Sequence, residues 1–295
     1  MGELVDVNEL AEPFLEEIRA EVAQCERIRL VGVMGTRANA SDKYAGYAAS
    51  GCAKVGIEFE LRHAEPEAVS HEIFRACEDP EVHGILVFYP VFGGARDRSL
   101  QNEVVPEKDV EGLHSTWTRC LYHDQRTLQR DGAARKAVLP CTPLGILKIL
   151  TRLGALAEGP PRELARGRTV TIFNRSEVVG RPLAAMLAHD GARVHSFDIE
   201  GHVLYQGLET KRCEVSRADA LAASQIVISG VPSRDFERIH KHELQEGAVV
   251  VDFSHVRNID KDVVERASHV VRRVGPMTIA MLLRNTVQLY RSFKA

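Results

Sequence analysis

Apolar runs alternate with amphipathic stretches along the first half of the chain. Residues 27–34 (RIRLVGVM) and 84–89 (GILVFY) are largely apolar, which is typical of strands buried on both faces of a sheet. A shorter strand is predicted over 59–63. Apolar residues at helical spacing predict helices around these strands, over 10–24, 43–55, 68–76 and 144–153. The alternation predicts a parallel α/β sheet.

The most regular pattern lies just beyond the middle of the chain. A β-branched apolar run at 169–173 predicts a buried strand, a turn follows over 174–180, and a second strand is predicted over 192–197. Between them, Pro182 suits the first turn of a helix and Gly191 suits its end. Such a βαβ unit directs backbone N–H groups and the positive helix end at one point, which suits a pyrophosphate.

The second of these strands ends in a carboxylate, Asp198. A carboxylate there can accept hydrogen bonds from an adenosine ribose, and it repels a 2′-phosphate, so it predicts NAD rather than NADP. The turn departs from the G-x-G-x-x-G pattern, because Asn174 stands where a glycine is expected. Asparagine is the residue that best tolerates a positive φ after glycine.

The remaining pattern extends this second half. Strands are predicted over 225–230, 247–253 and 269–274, with a short helix over 218–223 and an apolar helix over 278–290.

Residues 155–167, rich in glycine, proline and charge, are typical of a domain junction. We therefore predict a two-domain α/β fold, with an N-terminal α/β domain over 1–150 and a C-terminal Rossmann-type domain over 151–277. The helix within 278–295 is too apolar to stand alone and is expected to pack back on the first domain. Ligands would be held in a cleft between the two domains.

Composition excludes several classes of protein. The chain has 295 residues and a net charge of −3, with no basic stripe, so nucleic acid is not an expected partner. No apolar run approaches a membrane span, and the acidic N-terminus lacks the features of a secretory signal. The 6 cysteines form no C-x-x-C pair and no metal-ligand spacing. They predict reduced thiols in a cytoplasmic protein without a metal site.

Six motifs follow one another along nearly the whole chain: 87–93 (VFYPVFG), 106–113 (PEKDVEGL), 140–144 (PCTPL), 174–182 (NRSEVVGRP), 230–233 (GVPS) and 275–285 (GPMTIAMLLRN). Together they resemble the methylenetetrahydrofolate dehydrogenase/cyclohydrolase family. The resemblance implies a folate-binding first domain, an NAD-binding second domain, a 5,10-methylenetetrahydrofolate substrate and a homodimer.

The family's chemistry explains which residues it needs. Removing hydride from the carbon between two nitrogens leaves a cation that both nitrogens share, so this step needs positioning and no general base. Hydrolysis of the methenyl product, the second activity of bifunctional members, needs an activated water and proton transfer.

In bifunctional members that second step relies on a lysine four residues after a motif tyrosine. The tyrosine matches Tyr44, and the lysine position falls on Ala48. Lys43 points about 100° away from Tyr44 on a helix, and Lys54 lies further along the chain. The methyl side chain of Ala48 cannot activate water.

Two further departures fall in the same site. Phe88 replaces a glutamine, and Glu111 replaces the aspartate that binds the pterin. Together, Ala48, Phe88 and Glu111 resemble the monofunctional, NAD-dependent branch of the family. We therefore predict a dehydrogenase without cyclohydrolase activity.

The resemblance also implies roles for individual residues. Tyr44 and Cys141 are the candidate catalytic residues beside the reacting carbon, with Cys141 as a pocket wall and not a nucleophile. Glu111 would accept hydrogen bonds from the pterin. Other folate-lining candidates are Phe88, Pro90, Val91, Phe92, Pro276 and Thr278, and plain core packing is an equal alternative for Phe88. Cofactor-binding candidates are Asn174, Arg175, Ser176, Gly180, Asp198, Gly230, Val231 and Pro232.

Arg175 leaves the choice between NAD and NADP open at this point. In NADP-using relatives an arginine at this position pairs with the 2′-phosphate, whereas here it could pair with Asp198. Three alternatives remain: a bifunctional, NADP-using enzyme in which Lys43 or Lys54 replaces the missing lysine, a dinucleotide-binding sensor without turnover, and another two-domain Rossmann enzyme such as a hydroxyacid dehydrogenase. The last needs a positioned histidine or lysine, for which the sequence offers no candidate.

Overall fold

A computed structural model describes residues 2–35, 39–130 and 132–293. Its α-helices are α1 (Val7–Val22), α2 (Asn39–Val55), α3 (Val69–Glu78), α4 (Gly94–Glu103), α5 (Ser115–Tyr122), α6 (Cys141–Arg152), α7 (Gly180–His189), α8 (Arg217–Ala223) and α9 (Gly275–Phe293). Short 3₁₀ turns occur at Pro66–Ala68, Lys241–Glu243 and Lys261–Glu265. Among the described residues, no helix combines the length and hydrophobicity that crossing a bilayer requires.

The strands alternate with these helices. They are β1 (Glu3–Leu4), β2 (Arg29–Met34), β3 (Glu58–His63), β4 (Gly84–Val87), β5 (Thr127–Arg130), β6 (Ala133–Lys136), β7 (Thr169–Phe173), β8 (Arg193–Asp198), β9 (Gly201–Gln206), β10 (Glu209–Arg212), β11 (Ile226–Ser229), β12 (Val249–Asp252) and β13 (His269–Val271).

The chain forms two compact units. The first unit comprises Ala11–Cys120, Gln125–Cys141 and Thr278–Ala295, and the second comprises Met1–Leu10, Leu121–Asp124 and Thr142–Met277. These bounds differ from the predicted ones at the N-terminal segment, because β1 pairs with β13 of the second unit. They also differ at α6, most of which belongs to the second unit.

The first unit is built on a parallel sheet with strand order β3-β2-β4. β2 lies between its two neighbours, so its residues are almost all buried, as their continuous hydrophobicity predicts. Val31 and Val33 pack with Val69 and Ile73 of α3 in one core cluster. The strands predicted over 27–34 and 84–89 are thus confirmed as β2 and β4.

The second unit has an eight-stranded sheet with order β1-β13-β12-β11-β7-β8-β9-β10. Strands β7, β8, β11, β12 and β13 run parallel, which confirms the predicted Rossmann-type α/β arrangement. β9 and β10 add an antiparallel hairpin at one edge. The hairpin was not predicted from the sequence, because only Leu204 of β9 is buried and β10 is exposed throughout.

Some predicted elements begin or end elsewhere. No helix was predicted between residues 106 and 122, but the last part of this stretch forms α5. Helix α6 begins at Cys141 and not at 144, whereas α7 begins at Gly180 and has Pro182 in its first turn, as predicted. In both, the proline lies within the first turn, where its missing N–H costs no helical hydrogen bond.

Candidate functional site

The segment before Glu111 is anchored to β4 and to the end of α3. The N–H of Ile85 donates to the carbonyl of Lys108 at 2.7 Å. The Nζ of Lys108 in turn donates to the carbonyls of Ala76 and Cys77 at 3.1 and 2.6 Å, at the C-terminal turn of α3, and to that of Asp79 at 2.7 Å. A lysine in this place satisfies helix carbonyls that would otherwise lack partners.

Asp109 then shapes the backbone around Glu111. Its carboxylate is 4% exposed and accepts the N–H groups of Glu111, Gly112 and His114 at 3.1, 3.0 and 2.7 Å. Burial raises the pKa of Asp109 to about 6, although these hydrogen bonds act in the opposite direction. Gly112 has φ +67°, a conformation that favours glycine. The turn therefore holds Glu111 in a defined place.

The carboxyl group of Glu111 lies in an environment that disfavours its charge. Burial, and after it the charge of Asp109, raises the pKa of Glu111 to about 8, while the N–H of Val87 donates to the carboxyl and lowers it. Glu111 is thus largely protonated at neutral pH in the free protein. It can ionise near physiological pH.

Cys141 lies against the same segment. Its thiol is 6% exposed and donates to the carbonyl of Val110 at 3.3 Å. Burial, together with the charges of Glu111 and Asp109, raises the pKa of Cys141 well above the usual thiol value. The Cys141 side chain therefore remains a neutral thiol, as expected for a residue that lines a pocket. A nucleophile would need the thiolate.

Asn285, on α9, connects these elements. Its Nδ2 donates to the carbonyls of Val110 and Leu139, both at 2.9 Å, and contacts the Sγ of Cys141 at 3.5 Å. The side chain is 2% exposed. Asn285 thereby ties the residue before Glu111 to the segment that leads into Cys141.

Tyr44 lies on α2 and meets Phe88 edge-to-face, with ring centroids 6.0 Å apart and planes at 76°. Burial, followed by the nearby Cys141 and Glu111, raises the pKa of Tyr44 well above its usual value. Ala48, one turn later, is fully buried. Tyr44, Phe88, Glu111 and Cys141 thus lie together in the first unit.

The lysines of α2 lie elsewhere. Lys43 and Lys54 are both exposed, and Lys54 lies ten residues beyond Tyr44, about 15 Å along the helix axis.

The loop after β4 is held by a residue that the sequence analysis did not single out. Asp97 is 7% exposed and accepts the N–H groups of Val91 and Phe92, the latter at 2.8 Å. Val91 belongs to the core cluster, and Pro90 is exposed. Phe92 is half-buried, and the guanidinium of Arg96 lies 3.4 Å from its ring centroid.

The last two folate candidates lie at the start of α9. Thr278 is 5% exposed and belongs to the first unit, whereas Pro276 belongs to the second. The folate-lining role of Pro276, two residues before Thr278 on the same helix, stays a prediction.

The protonation of Glu111 predicts a pH dependence. A carboxylate accepts two hydrogen bonds from neighbouring N–H donors, whereas a protonated carboxyl accepts fewer and donates one. We expect kcat/KM for the folate to rise about tenfold between pH 7 and pH 9, as the carboxyl of the free protein ionises. Steady-state rates across this range test it. A Glu111→Gln variant should lose this rise, and a variant that keeps it would assign the titration to another group.

In the second unit, the turn after β7 is stabilised by its own side chains. The Oδ1 of Asn174 accepts the N–H and the hydroxyl of Ser176 at 3.0 and 2.7 Å. The Oγ of Ser176 accepts the N–H groups of Val179 and Gly180 at 3.2 and 3.3 Å, at the start of α7. A Cβ on Gly180 would lie 2.0 Å from the carbonyl oxygen of Asn174, so only glycine fits there. Asn174 and Ser176 thus hold the turn in shape.

Arg175 and Asp198 form an ion pair, with Nη1 and Oδ1 3.0 Å apart. The Nη2 of Arg175 donates to the carbonyls of Ser196 and Gly201 at 2.8 and 2.5 Å. The Arg175 side chain is 8% exposed and that of Asp198 is 22% exposed. The guanidinium is therefore engaged by the protein itself, while the carboxylate stays accessible.

The third cofactor segment follows β11. Asn174 donates from Nδ2 to the carbonyl of Gly230 at 2.8 Å, which links this segment to the first turn. A Cβ on Gly230 would lie 1.9 Å from the ring of Phe253. Gly230 is buried, Val231 is half-buried and Pro232 is exposed. Asn174, Arg175, Ser176 and Gly180 thus share one sheet edge with Asp198 and Gly230–Pro232, because parallel strands end there together.

Three supporting residues, Asp97, Asp109 and Asn285, are not among the site residues predicted from the sequence. A signal was present for Asp109, since an aspartate two residues before a glutamate–glycine pair is typical of a side chain that closes a turn. Asn285 stands between Arg284 and Thr286 on α9, and no local pattern distinguishes it from its polar neighbours.

Comparisons with known proteins agree on one family. The tetrahydrofolate dehydrogenase/cyclohydrolase catalytic-domain model matches residues 5–111, and the NAD(P)-binding-domain model of that family matches residues 140–294.

Among individual relatives, the chain is 40% identical to a methylenetetrahydrofolate dehydrogenase [NAD(+)] of Dictyostelium discoideum, over 98% of this chain and 94% of the relative. It is 37% identical to the protein of the same name in Schizosaccharomyces pombe, over 97% and 92%. The solved NAD-dependent 5,10-methylenetetrahydrofolate dehydrogenase of Saccharomyces cerevisiae superposes with a TM-score of 0.92 at 35% identity, covering 99% of this chain and 98% of that one.

Proposed function

Because the chain belongs to the tetrahydrofolate dehydrogenase/cyclohydrolase family, we propose that it oxidises 5,10-methylenetetrahydrofolate to 5,10-methenyltetrahydrofolate with NAD, and that it has no cyclohydrolase activity. One observation carries the proposal: Glu111, Cys141 and Tyr44 lie close together in the first unit, and the buried Ala48 stands one turn after Tyr44 in place of a proton-carrying side chain.

The oxidation makes few demands on the protein's acids and bases. The lone pairs of the two folate nitrogens stabilise the cation that forms when hydride leaves the carbon between them, so no side chain has to remove a proton. When bound, NAD supplies the hydride acceptor. The protein's contribution is to hold the folate in place and to keep the site shielded from water.

Each residue of the first unit has a part in that positioning. Glu111 in its ionised form accepts hydrogen bonds from the amino group and ring N–H of the pterin. Tyr44 and Phe88 offer aromatic surfaces to the folate rings. Cys141 borders the reacting carbon as a neutral thiol, and its high pKa supports this role.

The second unit suits NAD. The accessible carboxylate of Asp198 can accept ribose hydroxyls, and α7 begins at Gly180 with its positive end at the same sheet edge, which favours the charge of a diphosphate. Arg175 would bind a 2′-phosphate only by giving up its contacts with Asp198, Ser196 or Gly201. These contacts support a preference for NAD over NADP.

The lack of hydrolysis is testable directly. When the protein is incubated with methenyltetrahydrofolate, we expect the methenyl absorbance to fall no faster than in buffer, because Ala48 cannot activate water and both candidate lysines are exposed. A loss that scales with protein concentration would favour the bifunctional alternative, and Lys43→Met and Lys54→Met variants would then show which lysine is responsible.

A sensor without turnover is the alternative from another functional class. Reduction of NAD in the presence of methylenetetrahydrofolate excludes it, and binding of NAD without reduction would favour it. The grouping of Tyr44, Glu111 and Cys141 in the first unit supports the enzyme, because a dinucleotide sensor has no use for a second group of this kind.

We further propose that the protein is a cytoplasmic homodimer. Its six cysteines are all free thiols, which suits a reducing compartment. The dimer rests on the family resemblance alone, and light scattering on the purified protein tests it.

A further inference from the structure

The segment after β11, Gly230–Pro232, lies among the proposed cofactor contacts, and the backbone of Gly230 and Val231 is held by other parts of the second unit. The N–H of Gly230 donates to the carbonyl of Phe173 at 3.0 Å. The N–H of Val231 donates to the Oδ1 of Asn258 at 2.7 Å. The carbonyl of Val231 accepts from the Nδ2 of Asn258 at 3.0 Å and from the Oγ of Ser254 at 2.7 Å.

Asn258 is fully buried, and all of its amide capacity is used. Its Oδ1 also accepts the hydroxyl of Ser229 at 2.8 Å, and its Nδ2 also donates to the carbonyl of Val256 at 3.2 Å. The orientation of the amide is unambiguous, since the N–H of Val231 can only donate and must face the oxygen. The N–H of Asn258 donates to the Oδ2 of Asp252 at 3.0 Å, at the end of β12.

This arrangement has a consequence for ligand binding. Both backbone polar groups of Val231 are satisfied inside the protein, so a cofactor would meet this segment as a preformed surface and not through those groups. A buried network in which every member is satisfied gives its neighbours one defined position. Asn258 is the member that contacts both the N–H and the carbonyl of Val231.

We propose that Asn258 is a positioning residue for the cofactor. Through its hydrogen bonds to Val231, it holds Gly230–Pro232 in the position that NAD requires. This inference rests on the proposed function. It goes beyond it by assigning cofactor affinity to a side chain that is itself buried beneath the contact surface. The role of Asp252 follows from the same network: it accepts the N–H groups of Ser254 and Asn258 at 3.1 and 3.0 Å and is a support for the loop.

Three variants test the proposal. Asn258→Asp keeps both acceptor contacts and loses both donors, Ser254→Ala removes one hydrogen bond to Val231, and Thr171→Val is the matched control. Thr171 is as buried as Asn258 and lies on β7 beside β11, but its hydroxyl contacts Ala220 and Ser224 and not the loop.

We expect KM for NAD to rise about tenfold in Asn258→Asp and about threefold in Ser254→Ala, with KM for the folate unchanged. Thr171→Val should lower the unfolding temperature without changing KM for NAD. In Asn258→Asp, KM for NAD should decrease as the pH falls, because a protonated carboxyl again donates a hydrogen bond to the carbonyl of Val231.

If both loop variants show the same KM for NAD as Thr171→Val, the proposal is wrong. If Asn258→Asp does not fold, Ser254→Ala decides alone. Turnover of methylenetetrahydrofolate by the wild-type protein tests the proposed function separately, so the two failures are distinguishable.

Discussion

Above pH 8, Glu111→Gln lowers kcat/KM for methylenetetrahydrofolate by about 100-fold, because hydrogen bonds to a charged group contribute about 1.5–3 kcal/mol each. Glutamine offers one acceptor oxygen, and its amide N–H₂ faces the donors of the pterin. The effect should be largest above pH 8, where Glu111 is ionised. Steady-state kinetics at saturating NAD measure it.

The matched control is Glu107→Gln. Glu107 belongs to the same motif but pairs with Arg130 and not with the site. This variant should keep wild-type kcat/KM, and KM for NAD should be unchanged in both. An equal loss in the two variants would show that Glu111 acts on the loop as a whole and does not bind the substrate.

Asp198→Ser reduces the preference for NAD over NADP by about 10- to 100-fold, which corresponds to about 1–3 kcal/mol for a lost charged contact. The substitution removes the acceptor for the ribose hydroxyls and the charge that repels a 2′-phosphate. It also releases the Nη1 of Arg175, while the carbonyls of Ser196 and Gly201 keep the guanidinium nearby. The ratio of kcat/KM for the two cofactors is the measurement.

Two further variants identify the cause. Glu200→Ser removes an exposed acid from the same turn and should leave the ratio unchanged. Adding Arg175→Gln to Asp198→Ser should abolish the gain with NADP, because the freed guanidinium supplies the phosphate contact. If Asp198→Ser alone leaves the ratio unchanged, the ion pair does not set the preference.

Sequence patterns predicted the parts of the fold in which burial dominates. β2, β4, β7 and β12 are continuous apolar runs, and the chain has few other ways to bury them. Helix α4 was not predicted, because its sequence GARDRSLQNE is polar and only Asp97 and Leu100 are buried. A helix of that composition depends on its tertiary neighbours, which local pattern does not report.

The candidate site also contains residues that the sequence predicts and residues that it does not. Tyr44, Glu111 and Cys141 stand in recognisable motifs, and the structure brings these three together. Asn285 donates to the carbonyls of Val110 and Leu139, the first across 175 positions of sequence, and these backbone atoms carry no sequence signature. Supporting contacts of this kind depend on the folded geometry and follow from no local spacing.

Deuterium transfer tests the central claim, direct hydride removal from the N–CH₂–N carbon without proton-carrying side chains. The protein is incubated in ordinary water with NAD and methylenetetrahydrofolate that carries two deuterium atoms on the bridging carbon. The deuterium content of both products is then measured by mass spectrometry. We predict one deuterium in every reduced NAD and one in every methenyl product. Reduced NAD that contains hydrogen from the solvent, or no reduced NAD at all, would contradict the account.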